Sequence, residues 1–221
     1  MYLSRFRALL TVMSVCALAT NVLASPPQLH TQTPDPQAIQ NTFSAYKEAL
    51  LKGDGSKAAE LVDKGTIAFY DEILTNALEM PYRNLRQLDY LSKFMVLRIR
   101  HEFSKSQIEK MSGLDLFKLG ITNGWISPST VANINRLVNI KVDSYKSSAS
   151  APKFPNVTAF YFLKESGQWK LALWQSFELV NYAMRVRVKQ SGLTEEEFII
   201  KSINMLSSKT VDPRILSGPL E

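Results

Sequence analysis

Tyr70-Asp71-Glu72 is the cluster in this sequence best equipped for chemistry. A carboxylate beside a phenol can move a proton, provided its surroundings bring a pKa toward the working pH. His101 is the other candidate base, standing among Arg98, Arg100 and Glu102. The competing expectation for Asp71 and Glu72 is a solvated helix face. For His101 it is a rim position, because one histidine without a partner defines no dyad. The second histidine, His30, falls in a stretch rich in Pro and Thr. Two isolated histidines, with the one cysteine inside the N-terminal segment, argue against a zinc site. No G-x-S-x-G elbow, Gly-rich phosphate loop, H-E-x-x-H pair or calcium loop occurs. The expectation is no metal, no cofactor and no assigned catalytic residue, with Tyr70, Asp71 and His101 as the acid–base candidates.

Binding groups form a second set. Trp174 alternates with Lys170, Ser176 and Glu178, so on a strand these four would share one face. A large aromatic there would be covered by a second subunit or by helices. Arg185 and Arg187, with Lys189, would share a face on a strand and could hold an acidic group, or could simply blunt a strand edge. Trp125 and Trp169 are expected in the core or an interface.

The chain has 221 residues, 45% hydrophobic and 21% charged, with a net charge of +6. That is globular composition, and the length suits one domain with a sizeable core. The first 24 residues have the order of a secretory signal: Arg5 and Arg7, a short apolar run over 8–19, then Val22-Leu23-Ala24. The run is short of the ~20 residues a spanning helix needs. Cleavage after Ala24 and no membrane span thereafter are expected. Cys16 lies inside that segment, so the mature chain would lack cysteine and carry +4. A cysteine-free exported domain fits a bacterial periplasm, or secretion, better than a disulfide-stapled module. No basic-aromatic nucleic-acid module appears, so nucleic acid is not expected as a partner.

The elements that must position these residues follow in order. Residues 25–35 read as a mobile linker. Asp35-Pro36 opens a helix with Ile39, Phe43, Tyr46 and Leu50 on one face. A short second helix starts at Ser56 and ends at Gly65, and Thr66 would cap a third. After Pro81, residues 83–103 fit one helix, although from Met95 they also alternate as a strand would. Residues 105–125 give two short helical turns, broken at Gly113 and Gly120. Residues 131–145 read as a first long strand, with Val138, Ile140 and Val142 inward, and 147–155 as a loop. Residues 155–182 form the organising hairpin, two long strands around Glu165-Ser166-Gly167-Gln168. Residues 181–189 fit strand or helix. Thr194-Glu195-Glu196-Glu197 is a capping box, opening a helix with Phe198, Ile199, Ser202, Met205 and Leu206 inward. One domain over 36–210 and a tail over 211–221 result.

Helices first and strands in meander order make an α+β pattern. Phe43 to Lys52, then Gly53-Asp54 and Ala58-Ala59-Glu60-Leu61, resemble the opening helix, turn and second helix of the nuclear-transport-factor-2-like superfamily. Residues 161–165 with Gly167-Gln168-Trp169-Lys170-Leu171 resemble its penultimate hairpin. The resemblance covers about a third of the mature chain. It implies N-terminal helices packed on a curved antiparallel sheet, cone-like, with a pocket at the open end. The segment 83–125 and the helix from 194 are additions to that plan, giving extra central and C-terminal helices. Members include isomerases and dehydratases that use acids and tyrosines facing the cone, but no motif here matches those roles residue by residue. The expectation is an exported non-catalytic domain of the bacterial cell envelope, binding an envelope protein, a small apolar ligand or a second copy of itself. A pocket enzyme and an envelope lipid-binding protein are the alternatives.

Overall fold

Seven α-helices and a 3-10 turn precede the first strand in the computed structural model, which describes residues 35–126 and 128–216. The expected signal over 1–24, the expected linker up to residue 34 with His30, and residues 217–221 lie outside them. In α1 (Asp35–Lys52), Ile39, Phe43, Tyr46 and Leu50 are buried, as their spacing predicts. Gly53, at φ +66°, turns the chain out of the helix. α2 (Gly55–Ala59) is capped by Asp54, which accepts from the Lys57 amide at 2.9 Å.

α3 (Lys64–Glu79) is capped by Asp63 rather than Thr66. The Asp63 carboxylate takes the Gly65 and Thr66 amides, and Thr66 sits in the first turn with its hydroxyl donating back to Asp63. The single helix expected over 83–103 is two, α4 (Tyr82–Leu85) and α5 (Tyr90–Glu102). Asp89 restarts the chain by accepting from the Ser92 amide at 3.0 Å. The strand-like alternation after Met95 has a physical origin. Val96, Leu97, Arg98, Ile99 and Arg100 are all buried, because α5 is enclosed on most sides. After α6 (Lys105–Ile108), α7 (Gly113–Thr122) runs through Gly120, where a break is expected from sequence.

The sheet is an antiparallel meander, β1 (Val138–Val142), β2 (Lys146–Ser150), β3 (Thr158–Glu165) and β4 (Gln168–Leu171). The fold is α+β. The long strand expected over 131–145 is only its last part, and β2 occupies residues read as loop. Ser-Ser-Ala-Ser has no amphipathic period to find; its place is fixed by hydrogen bonding to β1 on one side and β3 on the other. Ser166 (φ +48°) and Gly167 (φ +79°) close the β3–β4 hairpin. Positive φ at both central residues matches the right-handed strand twist.

The second strand of that hairpin stops at Leu171, not near Leu179. A 3-10 turn over Leu173–Ser176 leads into α8 (Phe177–Ser191). Phe177, Asn181, Met184 and Val188 turn inward at helical spacing, so the alternation read as strand was the edge of a helical stripe. Residues 181–189 are therefore helix. α9 (Glu195–Leu206) opens on the expected capping box. Its buried side chains are Ile199 and Ile203, whereas Met205, about 200° round the helix from Ile203, and Leu206, its last residue, are exposed. The domain also runs past residue 210. Val211 and Ile215 are buried, the latter in a 3-10 turn (Pro213–Leu216) against α5.

Helices and sheet share one hydrophobic core and are also joined by specific polar links. The Asp35 carboxylate accepts from Trp169 Nε1 at 2.8 Å and from Lys164 Nζ at 2.9 Å. Thr42 Oγ1 donates to the Trp169 carbonyl, and Phe43 meets Phe160 edge-on at 5.0 Å. The outer edge of β4 is closed by the α2–α3 connection. Leu171 N donates to Leu61 O, Asp63 N donates to Leu171 O, and Val62 bridges Leu171 in parallel. All described residues belong to one compact unit.

Candidate functional site

The three acid–base candidates are placed by different neighbours. Tyr70 is buried, its ring edge-on to Phe69 and Phe117. Burial pushes its phenol well above the usual tyrosine range. Asp71 follows on the outer face of α3, and its Oδ1 accepts from the Gly113 amide at the start of α7. α3 approaches so closely there that a Cβ on residue 113 would stand 2.5 Å from the Asp71 amide nitrogen, so only glycine fits. His101, in the last turn of α5, shares a 2.9 Å hydrogen bond between Nε2 and Ser207 Oγ, just beyond α9. Among the described residues no hydrogen bond joins any two of the three. Tyr70 fills core, Asp71 docks α7 and His101 docks the end of α9.

Trp174 is not on a strand face with Lys170, Ser176 and Glu178. It lies in the 3-10 turn, 43% exposed, with its indole N–H reaching inward to Asp63 Oδ2 at 3.0 Å. Asp63 is the focus of this cluster. Its Oδ1 takes the Thr66 amide and hydroxyl, and its Oδ2 takes the Gly65 amide and the Trp174 indole. With four donors on two oxygens, a buried carboxylate is satisfied and has no lone pair left for a substrate proton. A Cβ at residue 65 would lie 2.5 Å from Trp174 Nε1, so glycine admits the indole.

Sequence reasoning missed the buried cations of α5. Lys93 Nζ pairs with Glu195 Oε1 at 2.6 Å. Arg100 spans the C-terminal carbonyls of α3, donating to Asn76, Ala77 and Met80 and also to Ile215. It serves as a side-chain cap for that helix end. The Arg98 guanidinium lies 4.3 Å from the centre of the Trp125 ring, while its Nε is buried without a hydrogen-bond partner. Burial lowers the pKa of both arginines. The one available signal was the apolar-cationic alternation over 96–100, which a buried helix and a strand share.

α8 has two different sides. Asn181 is its buried polar anchor, its Oδ1 accepting from the Leu91 amide at 2.8 Å. On the opposite side Leu179, Tyr182 and Val186 are exposed at spacings of three and four, one helical stripe. Arg185 and Lys189 flank the stripe on one side and Arg187 on the other, at 100° per residue. Arg185 and Arg187 thus do not share a face, contrary to the strand alternative. Among the described residues none of these three cations is ion-paired.

Among the described residues no group of three or more His, Cys, Asp or Glu side chains could hold a metal ion. No described helix is long and apolar enough to cross a membrane. No family model, curated protein or solved structure matches this chain.

Proposed function

We propose that this protein is an exported, non-catalytic docking domain of the bacterial cell envelope, and that it binds through the outward face of α8. The observation that carries this reading is the stripe of Leu179, Tyr182 and Val186, left uncovered between unpaired cations. An apolar face with a charged margin marks a surface that something else covers. The structural engagements of Tyr70, Asp71 and His101 support the non-catalytic half, since an acid–base site needs groups converging on one substrate position. The signal-like segment over 1–24 supports export. Helices α1–α3 ahead of a meander sheet support placing the chain with the nuclear-transport-factor-2-like superfamily.

A photo-crosslinking amino acid at position 182 tests the docking face in living cells. Adducts at 182, and none at an exposed control position such as Glu72, are the expected result. Absence of any adduct at 182 overturns the reading. Asp71→Ala tests the other half. It removes a helix-docking bond and should lower stability by about 1 kcal/mol, read as a lower urea midpoint.

A further inference from the structure

We infer that the surface this face docks on is an anionic lipid bilayer interface, a refinement that rests on the docking role of α8 proposed above. The stripe is narrow, one side chain wide, and runs along a helix of 15 residues, about 22 Å long. It is a convex ridge, suited to a yielding interface. Between residues 179 and 194 the sequence has no acid, and Glu178 is the one carboxylate in α8 itself. The acids just beyond, in α9, are already committed. Glu195 pairs with Lys93, Glu196 accepts from Tyr82 and meets Arg86, and Glu197 closes the capping box. Arg185, Arg187 and Lys189 thus keep their charge for an external anion. Cations on both margins of an apolar ridge with a tyrosine at its centre are the arrangement of a helix lying in the headgroup plane. Leu179 and Val186 reach the acyl boundary, the Tyr182 ring sits at headgroup depth with its hydroxyl wet, and the three cations meet phosphate. The α8 backbone stays parallel to the surface, because Asn181 fixes the other side to α5.

Each cation near such a surface is worth ~1 kcal/mol, or about fivefold in partitioning, so three amount to on the order of a hundredfold. The test uses protein purified from its own cells, with its N-terminus read by mass spectrometry. Sedimentation with equimolar phosphatidylglycerol–phosphatidylcholine vesicles is compared with phosphatidylcholine alone. The wild type should bind the anionic vesicles and release in high salt. R185Q/R187Q/K189Q should weaken binding by about a hundredfold, and L179S/Y182S/V186S should also lose it, while both variants keep the wild-type circular dichroism. Because the variants share one N-terminus, the difference between them reads α8 alone. In Tyr182→Trp, the emission excited above the absorbance of tyrosine should shift to shorter wavelength on vesicle addition. Equal binding by wild type and both variants overturns the proposal. No vesicle binding together with protein adducts at position 182 overturns the lipid surface and leaves the docking role standing. No vesicle binding and no adduct of any kind removes both.

Discussion

Tyr46 holds a buried hydroxyl that no neighbour satisfies. An unmade hydrogen bond of this kind costs about 1–3 kcal/mol. Tyr46→Phe should therefore leave stability unchanged or raise it by about 1 kcal/mol, roughly 2–4 °C in Tm. Burial also raises the phenol pKa of Tyr46 and of Tyr70 above the ordinary value. A raised folded-state pKa stabilises the fold fully below the unfolded pKa, about 10, and the contribution is lost as pH rises beyond it. Tm should fall on the alkaline side of about pH 10, and less steeply in Tyr46→Phe. Arg100 is the opposite case, a buried charge whose side chain makes four hydrogen bonds. Arg100→Leu strands the carbonyls of Ala77, Met80 and Ile215 and should cost ~3 kcal/mol by urea denaturation. Neither residue declared its role in sequence. A tyrosine in an apolar stripe says that it is buried, not whether its hydroxyl has a partner. An arginine reads as exposed unless the carbonyls of another helix are known to converge on it.

Asp63 shows how one residue can fasten two elements. It begins α3 and also anchors the turn after β4 through Trp174. Asp63→Ala loses the cap, about 1 kcal/mol, and strands a half-buried indole N–H, so ~2–3 kcal/mol is expected. Trp174→Phe removes the indole bond alone and should cost ~1 kcal/mol. Equal urea midpoints for the two variants would contradict the double role. At this scale the sequence was read well where local chemistry decides. The α1 stripe, the capping box of α9 and the Ser166-Gly167 hairpin all stand as their residues predict. It was read badly where partners decide. β2 carries only Lys, Ser and Ala, and is a strand because β1 and β3 offer it hydrogen bonds from both sides. The stretch 172–179 leaves the sheet because Thr66 Oγ1 accepts the Leu173 amide and Asp63 draws in Trp174. Both are contacts more than a hundred residues away, which no local period can announce.

Across the whole molecule, stability near neutral pH has an acid limit. Among the described residues hydrogen bonds hold six carboxyls below the usual range: Trp169, then Lys164, act on Asp35, Lys52 acts on Glu48, Lys57 on Glu60, Ser112 on Asp115, Thr194 on Glu197 and Arg214 on Asp212. Depressed folded-state values stabilise the fold above the unfolded pKa, near 4, and the contribution is lost as pH falls through the folded values. Tm should be flat from about pH 7 to 5 and drop below about 4. The segment after α9 belongs to the same cooperative unit. Ending the chain at residue 210 removes Val211 and Ile215 from the core, at about 1.5–3 kcal/mol each, and the Ile215 carbonyl from Arg100. Calorimetry of the shortened chain should show a markedly lower Tm. The exposed face of α8 was legible only as composition, since the placement of Arg185 and Arg187 depended on whether 181–189 was helix. The links between Leu171 and the α2–α3 connection have a temporal side. Besides their local partners, Thr42, Leu61 and Asp63 each have one in residues 169–174. A chain made from its N-terminus cannot close its first helical layer until three-quarters of it has emerged. Completion of the fold is thereby deferred until late in the polypeptide, and a chain exported as proposed would cross the membrane without a finished core to unravel.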